Sequence, residues 1–186
     1  MILPIVAVGS PILRKKCVEI SPDHPELEML LDNMRETMHE AHGVGLAAPQ
    51  INKAIRLFLI DTTPFLDDEE TTEEVIVKQA FINAKILEET GEEWDFNEGC
   101  LSIPDVREDI SRKPSITIEY MDENFEKHTD TYDGLTARVI QHEYDHIEGI
   151  LFTDKISALR KRMIKGKLLD ISKGKVNVAY KMRFAR

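Results

Sequence analysis

His142 and His146 stand four residues apart in the run His142-Glu143-Tyr144-Asp145-His146. On a helix that spacing puts both imidazoles on one face, one turn apart, where they can share a metal ion with Glu143 beside them. The flanking residues supply the helix. Leu135, Val139, Ile140 and Ile147 recur at helical spacing from about Gly134 to Glu148, and Gly149 marks its end. By itself the pattern also fits two solvated histidines, so a third ligand is what separates the two readings.

Downstream of His146 there is no further histidine, and the acids are Glu148, Asp154 and Asp170. The extended protease pattern HExxHxxGxxH has Gly149 in place, but its last position is Phe152, which cannot coordinate a metal. Upstream, Cys100 lies in Glu98-Gly99-Cys100-Leu101-Ser102-Ile103-Pro104, where the glycine permits close backbone approach. A thiolate with two imidazoles suits zinc or ferrous iron, whereas the plainer fate of a free cysteine is burial as a small hydrophobe. Cys17 has no such context and reads as core. Three protein ligands would leave one position for water, whose pKa a dication lowers from about 16 toward 7.

The chain of 186 residues fits one domain, spanning 1–186 with a basic tail from about 155. Its two cysteines are too few for a disulfide framework, which favours a reducing compartment. The apolar start has no basic residues ahead of it, and the uncharged stretch Ile2–Leu13 is shorter than the roughly 20 residues a bilayer span needs. A non-membrane protein is expected.

Pro25–His42 carries Leu27, Leu30, Leu31, Met34 and Met38 at helical spacing. The glycine-rich segment 43–50 follows, then Ile55–Ile60 as a buried strand. An acidic stretch at 61–74 reads as a solvated loop, and Val75–Leu87 as a further strand. Ser115–Tyr120 and Phe125–Tyr132 predict a hairpin, and Ile156–Ile164 another helix, broken after about Lys165 before the strand-like Val176–Tyr180. Strands followed by helices, without regular alternation, predict an α+β fold.

The net charge of −10 argues against unspecific binding to nucleic acid, but its distribution is uneven. Lys155–Arg186 holds 11 Lys and Arg against the single acid Asp170, a net +10, while residues 1–154 carry −20. Such a tail either seeks a polyanion such as RNA or packs on its own acidic body.

Gly43–Gln50, Glu98–Ser102 and His142–Gly149 together resemble the three signature motifs of the peptide deformylases in order and spacing, within a similarity running from about Pro4 to Asp154. The resemblance implies antiparallel sheets packed around a central helix that carries the histidines. It implies Cys100, His142 and His146 as metal ligands, Glu143 as general acid and base, and Gln50 with the Leu101 N–H at the oxyanion. Substrate would meet Gly43, Val44, Gly45, Gly99, Arg107, Leu135, Arg138 and Val139, with the Arg138 head group wet. Glu98 and Gln141 would orient ligands, and Asp145 would pair with Arg112. The implied cofactor is one divalent ion, Fe(2+), with Zn(2+), Ni(2+) or Co(2+) as substitutes in purified samples.

The implied reaction releases formate from the N-terminal formyl-methionine of nascent polypeptides in the cytoplasm, with the ribosome as a partner reached through the basic tail. Two rivals stand beside it. An HExxH metallopeptidase would ordinarily carry a third His or Glu ligand, and a non-catalytic RNA-binding protein with a structural metal would need four protein ligands.

Overall fold

The computed structural model describes residues 1–67 and 76–185. In chain order the elements are β1 (Ile5–Val6), α1 (Leu27–Glu40), β2 (Gly45–Ala47), β3 (Leu57–Asp61), β4 (Lys78–Thr90), β5 (Trp94–Cys100), β6 (Ile103–Arg112), β7 (Ser115–Met121), β8 (Lys127–Asp133), α2 (Gly134–Ile147), α3 (Ala158–Ser172) and β9 (Met182–Arg183). They form an α+β fold whose main sheet is antiparallel with strand order β2-β3-β4-β7-β8.

The continuous apolar run of β3 follows from burial on both faces. Phe58 and Ile60 pack with Ala137, Val139, Ile140 and Ile147 of α2, whereas Leu57 and Leu59 pack with Leu31, Met34 and Met38 of α1. Alternate side chains of a strand point to opposite sides, so one four-residue run serves two cores. Helix α2 therefore lies centrally, between the main sheet and a second hairpin, β5-β6. That hairpin buries Ile103, Val106 and Ile110 against Val6, Leu13, Phe152 and Ile171. The chain ends meet there, as β1 pairs in parallel with β9.

Several sequence expectations shift. α1 starts at Leu27, two residues after Pro25, because Glu26 takes a left-handed conformation at φ 57°. Asp61 is buried at the end of β3, not solvated, with His39 Nε2 at 3.0 Å and Lys78 Nζ at 3.3 Å. Half of the predicted acidic loop, residues 68–74, and Val75 lie outside the described residues. Helix α3 runs on through Gly166, whose site faces open space and so costs only about 1 kcal/mol of helix propensity relative to alanine. The last strand falls at Met182–Arg183, not at Val176–Tyr180. Cys17 is core, as expected. Among the described residues no helix is long and apolar enough to cross a membrane.

Candidate metal centre and substrate cavity

Helix α2 stops at Gly149, which adopts φ +77° with its Cα against the chain at Arg14, where a Cβ would lie 2.7 Å from the Arg14 carbonyl oxygen. A side chain there would meet both a conformational and a steric penalty. The turn keeps the last helical residues in register, and His142 and His146 face the same way, ring centroids 5.1 Å apart. Strand β5 ends at Cys100 opposite them, with Sγ 3.3 Å from His146 Nε2. The donor atoms of Cys100, His142 and His146 all lie within 4.8 Å of one another, a soft thiolate with two imidazoles, which is a donor set suited to zinc or ferrous iron. Phe152, at the position of the extended protease pattern's last histidine, stacks on the His142 ring at 6.0 Å.

Glu98 precedes Cys100 by two residues, so its side chain emerges on the same strand face. Its Oε2 accepts from His142 Nδ1 at 2.9 Å, which leaves His142 Nε2 for a cation. Arg112 donates to both Glu98 oxygens at 2.7 and 3.0 Å and to Asp145 at 2.7 Å. Burial alone would raise the Glu98 pKa, but the hydrogen bonds from His142 and Arg112 outweigh it and hold the carboxyl at about 2. Gln141 takes no part: its amide donates to the Lys113 and Ala137 carbonyls.

Glu143 is 5% exposed. Its Oε2 is buried with no hydrogen-bond partner among the described residues, so one acceptor is left for a group from outside the chain. Desolvation pushes its pKa up to about 7, placing it where a carboxyl can both take and give a proton. Gln50 follows β2 on a short 3-10 turn, Ala48–Ile51. Its Oε1 accepts from the Ala47 N–H at 2.8 Å, which turns Nε2 toward Cys100 Sγ at 3.6 Å and Ser102 Oγ at 3.2 Å.

These groups open on a cavity of about 530 Å³. Of the residues named from sequence, Gly43, Val44, Gly45, Gln50, Gly99, Cys100, Leu101, Arg107, Arg138, Val139, His142 and Glu143 line it. Leu135, half-buried, and His146, fully buried, fall outside that lining. The cavity lies between the outer edge of β2 and that of β5, with Arg107 paired opposite Gly99 in the β5-β6 register. Two strand edges flanking a cleft can receive an extended peptide by added backbone hydrogen bonds.

Arg138 departs from expectation. Its guanidinium is not in water but 2% exposed, donating to the Trp94 and Ile110 carbonyls and to Glu98, and it sits 4.5 Å over the Trp94 ring. Sequence reasoning also missed Phe96 and Phe65, apolar wall residues of the cavity, because no motif marks them.

Comparison with known proteins agrees with this geometry. The family Polypeptide deformylase matches residues 2–162. A peptide deformylase of Christiangramia forsetii is 64% identical over 99% of this chain and 96% of its own length, and one of Flavobacterium johnsoniae 60% identical over 100% and 97%. A crystal structure of a peptide deformylase from Legionella pneumophila superposes with a TM-score of 0.80 at 32% identity, covering 94% of this chain and 98% of that one. On these relationships the chain belongs to the peptide deformylases, metal-dependent hydrolases that remove the N-terminal formyl group from nascent peptides.

Proposed function

We propose that Cys100, His142 and His146 hold the metal, with Fe(2+) as the ion in the cell and Zn(2+), Ni(2+) or Co(2+) as substitutes. Held there, a dication supplies Lewis acidity, lowering the pKa of a water and polarising the formyl carbonyl. Glu143 takes the proton from the attacking water and passes it to the departing amine as the formyl C–N bond breaks, so formate leaves and the methionine amine is freed. The Gln50 amide and the Leu101 N–H donate to the oxyanion that develops on the formyl oxygen. Glu98 fixes the His142 ring through Nδ1 and keeps it a good donor.

The peptide lies along Gly43-Val44-Gly45 and Gly99, with Arg107 at the rim. Val44 and Val139 give the methionine side chain apolar walls, and Arg138 shapes the floor through its buried stack on Trp94. Leu135, half-buried outside the lining, completes the substrate-binding set. One observation carries the assignment above the others: a buried carboxylate, Glu143, with an oxygen unpartnered among the described residues, stands beside a thiol and two imidazoles that converge.

The whole chain works as a single domain in the cytoplasm. The basic tail divides into two parts. Arg160 pairs with Glu108, Lys155 with Asp145 and Lys175 with Asp170, while Lys161, Arg162 and Lys165 of α3 are exposed beside the exposed Leu159 and Met163. Arg160 and Lys155 tie the tail to the body, the Lys175–Asp170 pair lies within the tail, and the exposed cations face the ribosome; co-sedimentation with ribosomes at low salt, lost at high salt, is the expected behaviour.

Anaerobic purification with metal analysis, followed by formate release from a formyl-methionyl peptide and its acetyl analogue, tests the assignment. Iron near one equivalent, with turnover on the formyl peptide alone and loss of both in air, is expected. Zinc in place of iron after anaerobic purification, with activity that survives air, would replace iron by zinc.

A further inference from the structure

Cys100, Leu101 and Ser102 make the tight connection between β5 and β6, and both ends of it are fixed. Cys100 is one of the converging donors, while the Ser102 carbonyl accepts from Val8 N–H at 2.9 Å and its hydroxyl from Gln50 at 3.2 Å. Leu101 lies between them, and its own carbonyl accepts a hydrogen bond from the Tyr180 hydroxyl at 2.8 Å. That tyrosine is 79 positions along the chain, so a remote segment must be held in place for the contact to form.

The holding is done by the two chain ends. Ile5 N–H donates to the Lys181 carbonyl at 2.9 Å and Ala7 N–H to the Arg183 carbonyl at 2.8 Å, pinning the backbone immediately after Tyr180. The ring packs at the margin of the cluster that contains Ile5, Met38 and Leu46, with Leu101 at the same margin. Leu101 is in turn pressed against the peptide-binding edge, since a Cβ on Gly43 would lie 2.8 Å from its Cδ1.

We propose that Tyr180 is a positioning residue for deformylation, holding the Leu101 backbone so that its N–H stays aimed at the formyl oxygen. The inference rests on the oxyanion role given to that N–H above. An oxyanion donor contributes only if it is oriented before the charge develops, and the Tyr180 bond restrains Leu101 itself, between the two fixed ends. Removing the tyrosine hydroxyl frees the Leu101 carbonyl, and the two peptide planes flanking Leu101 can then rotate against each other. The C-terminal segment thereby serves the active site from outside the cavity.

The test compares Tyr180→Phe, which keeps the ring, with Tyr120→Phe, whose lost hydroxyl bonds Asp130 on the main sheet. Four quantities are read on each: kcat and KM for a formyl-methionyl peptide, metal stoichiometry, melting temperature, and amide hydrogen exchange at Leu101 in the zinc-loaded protein. Tyr180→Phe is expected to lower kcat about tenfold, the effect of one neutral hydrogen bond, and to speed exchange at Leu101. KM, metal content and melting temperature stay near the parent values, and Tyr120→Phe leaves kcat unchanged. Unchanged kcat or unchanged Leu101 exchange in Tyr180→Phe overturns the proposal, as does an equal kcat loss in Tyr120→Phe. Formate titrated into the parent protein separates the two levels. A shift of the Leu101 amide resonance upholds the oxyanion role whatever Tyr180 does, whereas an unmoved resonance removes both.

Discussion

The Glu143 carboxylate rests directly on Gly45: a Cβ built at that glycine would lie 2.4 Å from Oε1 and 2.7 Å from Cδ. Position 45 thus has to be glycine for a reason that lies in another element, since any side chain at that position would push the buried acid off its place. Gly45→Ala is expected to cost most of the turnover while metal stoichiometry holds, and Glu143→Ala to abolish turnover with metal likewise retained. Gly166→Ala is the control. It faces open space in the middle of α3, so activity should not change and stability should rise by about 1 kcal/mol. Wild-type turnover in Glu143→Ala would end its acid and base role.

Glu98 carries the second expectation. It is buried and ties His142 to Arg112, so Glu98→Gln keeps the shape and removes the charge that orients the imidazole. Metal affinity measured by competition with a chelator should fall about tenfold to a hundredfold. An unchanged affinity would show that His142 needs no carboxylate behind it.

Gln50 is held by Ala47 with its amide turned toward Cys100. Gln50→Ala should lower kcat about 10²-fold, as for the loss of one oxyanion donor, with little change in metal content. An unaltered rate would take Gln50 out of the mechanism.

Away from the cavity, Asp61 gives a pH-dependent term in stability. Burial would raise its pKa, but hydrogen bonds from Thr63, His39 and Lys78 hold it at about 2, below the ordinary 3.8. A depressed carboxyl stabilises the fold above its unfolded pKa, and the contribution disappears as pH falls through the folded value. Asp61→Asn should therefore lower the melting temperature by about 3 °C at neutral pH, for a loss of about 1 kcal/mol, and by progressively less toward pH 2. A deficit that stayed constant down to pH 2 would show that the carboxylate charge is not the cause.

What could be read in the sequence follows the chemistry of individual residue types. The two histidines, their glutamate and Cys100 announce themselves because few other side chains bind metals, and helix α2 was visible from its apolar period. The β5-β6 hairpin was not. The inward face of β6 alternates Val106, Glu108, Ile110 and Arg112, all buried, and its two charges hide the apolar rhythm of a strand. Those charges are tolerated only because Arg160 covers Glu108, and Glu98 with Asp145 covers Arg112. Arg138 misled for the same reason. A guanidinium sequestered under Trp94 and Glu98 looks in sequence like one on a wet helix face. The Tyr180 contact lies further still from local pattern, since it exists only once β1 and β9 have paired.

The central claim is that a sulfur from β5 and two nitrogens from α2 hold a single dication. X-ray absorption at the zinc edge of the zinc-loaded protein measures this directly. One sulfur at about 2.3 Å together with nitrogen or oxygen neighbours at about 2.0–2.1 Å is the expected shell, and Cys100→Ser should erase the sulfur alone. A shell of nitrogen and oxygen with no sulfur in the parent protein would contradict it.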